Sequence, residues 1–161
     1  DSQKRTILHM AVTGSSSLAA KWALESNSGL LEVEDNMGRT PLHNCDSPRT
    51  LQLLLKYGAN INYTDKFGMT TLHHKCLQAQ AELVQALLSS SPKPDLNLRN
   101  NSYGTPLHCA VIGGSIDVVL ALLNAGASPN LRDKLGNTPA HIAARLNRPT
   151  IMRILIKHGA D

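Results

Sequence analysis

Apolar residues recur along the chain in short blocks separated by polar, turn-prone stretches. The last block is the plainest. Ile151, Met152, Ile154, Leu155 and Ile156 fall at helical spacing, after a Pro149 that can open a helix and before a Gly159 that can stop it. Paired leucines close equivalent blocks at Leu54-Leu55, Leu87-Leu88 and Leu122-Leu123. Ahead of the last block, Thr138 stands where a helix N-cap belongs, Pro139 at N1 and His141 at N3, predicting a short first helix through Arg145. Asp133 to Asn137 is turn chemistry, with Gly136 able to adopt a positive φ. Neither helix could bury its apolar side alone, so neighbouring copies must cover it.

Such copies exist. The same tetrapeptide occurs as Thr6-Ile7-Leu8-His9, Thr40-Pro41-Leu42-His43, Thr70-Thr71-Leu72-His73, Thr105-Pro106-Leu107-His108 and Thr138-Pro139-Ala140-His141, at spacings of 34, 30, 35 and 33 residues. Asp35 to Gly38 and Asp65 to Gly68 repeat the turn, while Tyr57 to Asn60 and Asn124 to Ala127 repeat the stop. A period near 33 predicts a stacked array whose function lies in an extended surface rather than a pocket.

With turn glycine, Thr-Pro-Leu-His, paired leucines and Gly-Ala stop at fixed offsets, the chain resembles an ankyrin repeat domain of five units over its whole length. The resemblance implies an all-α solenoid of stacked helix-turn-helix units with β-hairpin fingers. One domain is expected over 1–161, with units near 1–34, 35–64, 65–99, 100–132 and 133–161. The resemblance also implies that a partner docks on the finger tips and on the concave face of the first helices. The tip positions are Asn36, Met37 and Arg39; Lys66, Phe67 and Met69; Ser102 and Tyr103; and Lys134, Leu135 and Asn137. The concave positions are Leu77, Ile112 and Arg145. Met37, Phe67, Tyr103 and Leu135 are expected to line up along one edge, either as an interface stripe or packed against adjacent fingers.

The units deviate from one another. Unit 1 has Lys4 in place of the turn glycine and Ile7 in place of proline, as a terminal cap would. Unit 2 is three residues short, and Pro48 should start its second helix so early that the first has barely one turn. Unit 3 carries Ser89 to Pro94 where a Gly-Ala stop belongs, and unit 4 has Tyr103 at the turn-glycine position, with Gly104 one residue on. Unit 5 ends at Asp161 before a following finger arm, from which further repeats or domains in a longer parent are expected.

Composition narrows the chemistry. Hydrophobic residues are 42% of the chain but aromatics only 3%, which suits thin helical layers. No apolar run approaches the roughly 18 residues of a membrane span, and the first residues lack a signal-peptide pattern. Three cysteines without CxxC spacing fit a reducing compartment, hence an intracellular, cytoplasmic or nuclear setting. The net charge of +4 arises beyond residue 92, with Arg145, Arg148, Arg153 and Lys157 clustered in unit 5. This reads either as a solvated face or as a weak preference for an acidic partner surface. Nucleic acid is not the expected partner, because no dense basic run or series of stacking aromatics is present.

His43, Cys45, His73, His74, Cys76, His108 and Cys109 invite a metal or a nucleophile. Equivalent histidines on successive helices would stand about 8–10 Å apart, too far for one ion. A catalytic base would not recur identically in five units, and no phosphate loop or carboxylate pair accompanies them. No catalytic, metal or cofactor site is expected. Trp22 is expected to pack at the domain end. The sequence therefore points to a monomeric, non-catalytic scaffold for another protein. Two other readings stay open: a structural or targeting module within a larger enzyme or channel, and a regulator resembling cyclin-dependent-kinase inhibitors.

Overall fold

The computed structural model describes residues 2–14 and 16–161; residue 1, where the first unit boundary was set, lies outside them. Among these residues the helices are α1 Ile7–Thr13, α2 Ser17–Ser26, α3 Pro48–Lys56, α4 Thr71–Leu77, α5 Ala81–Ser89, α6 Pro106–Gly113, α7 Ile116–Asn124, α8 Pro139–Arg145 and α9 Pro149–Lys157, with a 3₁₀ turn at Ser28–Leu30. They form two layers. The second helices α2, α3, α5, α7 and α9 pack in chain order, and the first helices α4, α6 and α8 pack beside them. The core between the layers is mostly leucine and alanine. Leu8, Leu42, Leu72 and Leu107 come from the tetrapeptides, and Leu54, Leu87 and Leu122 from the leading members of the leucine pairs; all are fully buried. Truncating any of these to alanine costs about 2–5 kcal/mol.

Close approach of the first helices depends on small residues. A Cβ on Gly113 of α6 would stand 2.6 Å from the Cys76 carbonyl oxygen and 2.7 Å from that of Leu77, so only glycine lets α6 pack onto α4. Cys76 and Cys109 lie in the same buried layer. Burial pushes the Cys45 thiol up to about 11 and the Cys109 thiol up to about 12, and raises that of Cys76 well above its ordinary value. All three are packing residues without thiolate character.

The three-residue deficit of unit 2 removes its first helix. Residues 41–45 form a tight turn instead, held by His43 N to Thr40 O (3.0 Å), Asn44 N to Pro41 O (3.2 Å) and Cys45 N to Leu42 O (3.3 Å). Beside it, Lys75 of α4 is only 2% exposed and sends its Nζ to Asp46 Oδ1 at 3.4 Å. This buried lysine has no signal in the tetrapeptide pattern.

Two expectations change. Among the described residues no strand is present, and the fingers are tight turns rather than extended hairpins. Trp22 does not pack at the domain end: it is 63% exposed, because its face of α2 is one that other units cover with a neighbour.

Candidate protein-interaction surface

Each finger is built around one side chain. Asp35 Oδ1 accepts from the amides of Met37 (2.8 Å) and Arg39 (3.0 Å), and Asp65 Oδ1 from those of Phe67 (2.8 Å) and Met69 (2.9 Å). Asn100 does the same for Ser102 and Gly104, and Asp133 for Leu135 and Asn137. A backbone bond closes each loop, as from Asp65 N to Met69 O at 3.0 Å. The fourth turn residue must then be left-handed. Gly38, Gly68 and Gly136 take φ of 74°, 70° and 80°, whereas Lys4 and Tyr103 are forced to 56° and 57°. Burial pushes the Asp35 carboxyl up, but the Arg39 amide and guanidinium outweigh it and hold the group below the usual carboxylate range. Burial likewise opposes, and the Asn137 amide and side chain outweigh it, at Asp133.

The fingers are tied side by side. Asn36 N donates to Gln3 O (2.9 Å), Lys66 N to Met37 O (3.1 Å), Asn101 N to Phe67 O (2.9 Å) and Lys134 N to Ser102 O (2.9 Å). This ladder puts Met37, Phe67, Ser102 and Leu135 at the same tip position. Tyr103 is one residue further on, with Lys134 Nζ 5.6 Å from its ring centroid, so the expected stripe of four is a stripe of three with Tyr103 offset.

The histidines of units 1 to 4 fasten the start of each unit to the next finger. Thr70 N donates to His73 Nδ1 (3.2 Å), and His73 N donates to Thr70 Oγ1 (3.4 Å). On the other side of the ring, His73 Nε2 faces Gly104 O (3.2 Å). His9, His43 and His108 reach Arg39 O (2.9 Å), Met69 O (3.1 Å) and Asn137 O (3.1 Å) in the same way. A backbone N–H on Nδ1 and a carbonyl on Nε2 require the neutral Nε2–H tautomer. Burial depresses all four, His43 and His73 to about 4. With both nitrogens engaged, these rings have no position left for an ion. Among the described residues no group of three His, Cys, Asp or Glu side chains is placed to hold one.

A family model for ankyrin repeats in three copies matches residues 44–133 and 94–161. The chain belongs to the ankyrin repeat family. The B-cell lymphoma 3 protein homolog of Mus musculus is 34% identical over 171 residues, covering 100% of this chain and 38% of that protein. The nuclear factor NF-kappa-B p105 subunit of Gallus gallus is 41% identical over 98 residues, covering 58% of this chain and 10% of that protein. The chain thus spans well under half the length of these relatives. Among solved structures, the ankyrin repeat domain of Bcl-3, described as a unique member of the IkappaB protein family, superposes with a TM-score of 0.91 at 28% identity. That match covers 99% of this chain and 74% of that one.

Within this ankyrin stack the sequence-derived positions fall into two sets. Arg39, Asn137 and Asn36 are engaged in the fingers themselves: Arg39 with Asp35 Oδ2 (2.9 Å), Asn137 with Asp133 Oδ2 (3.2 Å) and Asn36 with Ser2 O (2.9 Å). Lys66 Nζ is turned onto Asn36 O (2.7 Å), and Met69 packs partly buried against the core. Met37, Phe67, Ser102, Tyr103, Lys134 and Leu135 are left outward, Leu135 at 81% exposure. On the concave side Leu77, Ile112 and Arg145 are exposed, joined by Leu146, which the sequence reading passed over. Arg148, counted above in a basic cluster, caps α6 instead through Nη2 to Ile112 O (2.9 Å). No helix among the described residues is long and apolar enough to cross a membrane.

Proposed function

We propose that this chain is a non-catalytic, monomeric ankyrin module, one domain over 1–161 with the five units given above, that holds a protein partner across its finger tips and concave face. The observation that supports this most is the tip row. Solvent-exposed turns are ordinarily polar, yet Met37, Phe67 and Leu135 occupy one position on fingers locked in register, and Phe67 is 52% exposed. Apolar anchors held on rigid backbone lose little entropy on binding. Leu77, Ile112 and Leu146 extend the apolar area onto the first helices, and Arg145 beside them favours carboxylates on the partner. The similarity to p105 and to an IkappaB-family domain supports an intracellular regulatory setting, cytoplasmic or nuclear.

The test is a partner captured with this domain and then titrated against a Phe67→Ala/Tyr103→Ala variant. Affinity at least about tenfold weaker, with an unchanged melting curve, supports the reading. Unchanged affinity overturns it. Added salt should weaken the complex further if Arg145 meets an acidic surface, and a flat response removes that element.

A further inference from the structure

The layer of second helices carries a surface that the finger-tip reading leaves unused. A groove of about 370 Å³ runs between α2 and α3, lined by Ser17, Leu18, Lys21, Arg49, Gln52, Leu53 and Lys56. Its composition is unlike that of its counterpart between α5 and α7, where Glu82 and Asp117 stand at the edges. The difference is clearest at the second residue of each second helix. Arg49, Glu82, Asp117 and Thr150 occupy that position in units 2 to 5, all polar and exposed, whereas unit 1 has Leu18 at 79% exposure.

Trp22, one turn along α2 from Leu18, stands outside this groove, since its counterparts Leu53 and Ala121 each face the preceding second helix. Its counterparts Leu53, Ala86, Ala121 and Ile154 are all half-buried. The groove thus offers Leu18 and Leu53 as an apolar floor and rim, with Lys21, Arg49 and Lys56 around them. The carboxylate on this face of α2 is Glu25, which meets Lys21 at 3.6 Å with both side chains more than half exposed, a weak pair that can be exchanged. No ion pair among the described residues uses Arg49 or Lys56.

We propose that the α2/α3 groove is a second docking site, for an acidic amphipathic helix of a protein partner. Such a helix lays apolar residues at i, i+3, i+4 and i+7 along Leu18 and Leu53, and its flanking carboxylates meet Arg49, Lys56 and Lys21. Charge alone would suit a phosphate backbone, but the apolar centre would then stay uncovered. The site goes beyond the finger-tip function and does not depend on it.

Binding is read from the fluorescence anisotropy of a dye-labelled peptide. The probe is a synthetic helix of about 18 residues, about five turns, with leucines on one face and glutamates beside them. Its anisotropy should rise saturably as the domain is added. Arg49→Glu/Lys56→Glu and, separately, Leu18→Ala should each weaken that binding about tenfold while melting as the parent does. A Phe67→Ala/Tyr103→Ala variant should bind the probe normally. The proposal is overturned if anisotropy does not rise, or if both groove variants bind undiminished. It is equally overturned if a labelled scrambled peptide binds with the same affinity, or if heparin or anionic vesicles displace the probe as well as the unlabelled peptide does.

Discussion

His73 Nε2 donates to the Gly104 carbonyl at 3.2 Å, across 31 positions of sequence. The same ring accepts the Thr70 amide on its other nitrogen, so one side chain completes a helix start and secures the following finger. His141 makes only the first of these connections: it bonds Thr138 and stands exposed. His73→Ala should therefore cost about 3 kcal/mol, with two backbone groups unpaired and a cavity opened. His141→Ala should cost about 1 kcal/mol or less. Urea unfolding of the two variants checks the difference, and equal losses would contradict the fastening role.

Acid should loosen the stack before its carboxylates titrate. The unfolded chain takes up protons on its histidines near 6.5, whereas His43 and His73 in the fold do so near 4. Unfolding therefore binds protons between these values. Stability is complete above pH 6.5 and falls as pH drops towards 4, on the order of 3 kcal/mol for each of the two histidines. His9 and His108 act in the same direction. Urea midpoints measured from pH 7 to pH 4.5 should decline steadily, and a flat profile would mean that these rings are not held neutral.

Gly113→Ala should destabilise the fold by about 1–3 kcal/mol, although alanine is the better helix former. The obstruction is the pair of backbone carbonyls at Cys76 and Leu77, which cannot yield unless α6 parts from α4. Gly14→Ala is the control, since its Cβ would meet Met10 O at an ordinary 3.4 Å and its φ of −77° suits any residue. Thermal melts should separate the two.

Tyr103→Gly should leave stability unchanged or raise it by up to about 1 kcal/mol. It relieves a left-handed φ of 57°, a gain set against the loss of a Lys134 contact worth about 0.5 kcal/mol at an exposed site. Partner affinity should fall at the same time. Stability and binding moving in opposite directions, measured by melting and titration, would mark Tyr103 as kept for contact.

The three thiols should be silent in the native protein. Cys45, Cys76 and Cys109 are buried with raised pKa values, so a thiol reagent at neutral pH should label them only after denaturant is added. Fast labelling of any one in the native state would show an opening that the packing does not contain.

Much of this was legible in the chain because it is local. Threonine and histidine three residues apart specify a cap, and Pro48 close behind His43 announced the lost helix of unit 2. The second bond of each histidine was hidden, since its partner is a backbone carbonyl about one unit away and any residue supplies one. Arg148 looked like free charge for the same reason, with its partner Ile112 O 36 positions back. Met37 and Phe67 were readable as apolar residues in turns, whereas Tyr103 sits at the turn-glycine position and so lies one residue past the tip position, which Ser102 holds. Leu18 could have been found by comparing each second helix with the others, since its counterparts are all polar.

The direction of the histidine bonds bears on how the chain is made. His9 gains its second partner only when Arg39 is present, 30 residues later. At about 5–20 residues per second of synthesis, each unit waits roughly 2–6 s for the one that completes it. During that interval its first helix start is formed but unfastened, and its leucine layer has one side open. A nascent chain of this type always trails one unfinished unit behind the ribosome, and that unit is what a chaperone would meet.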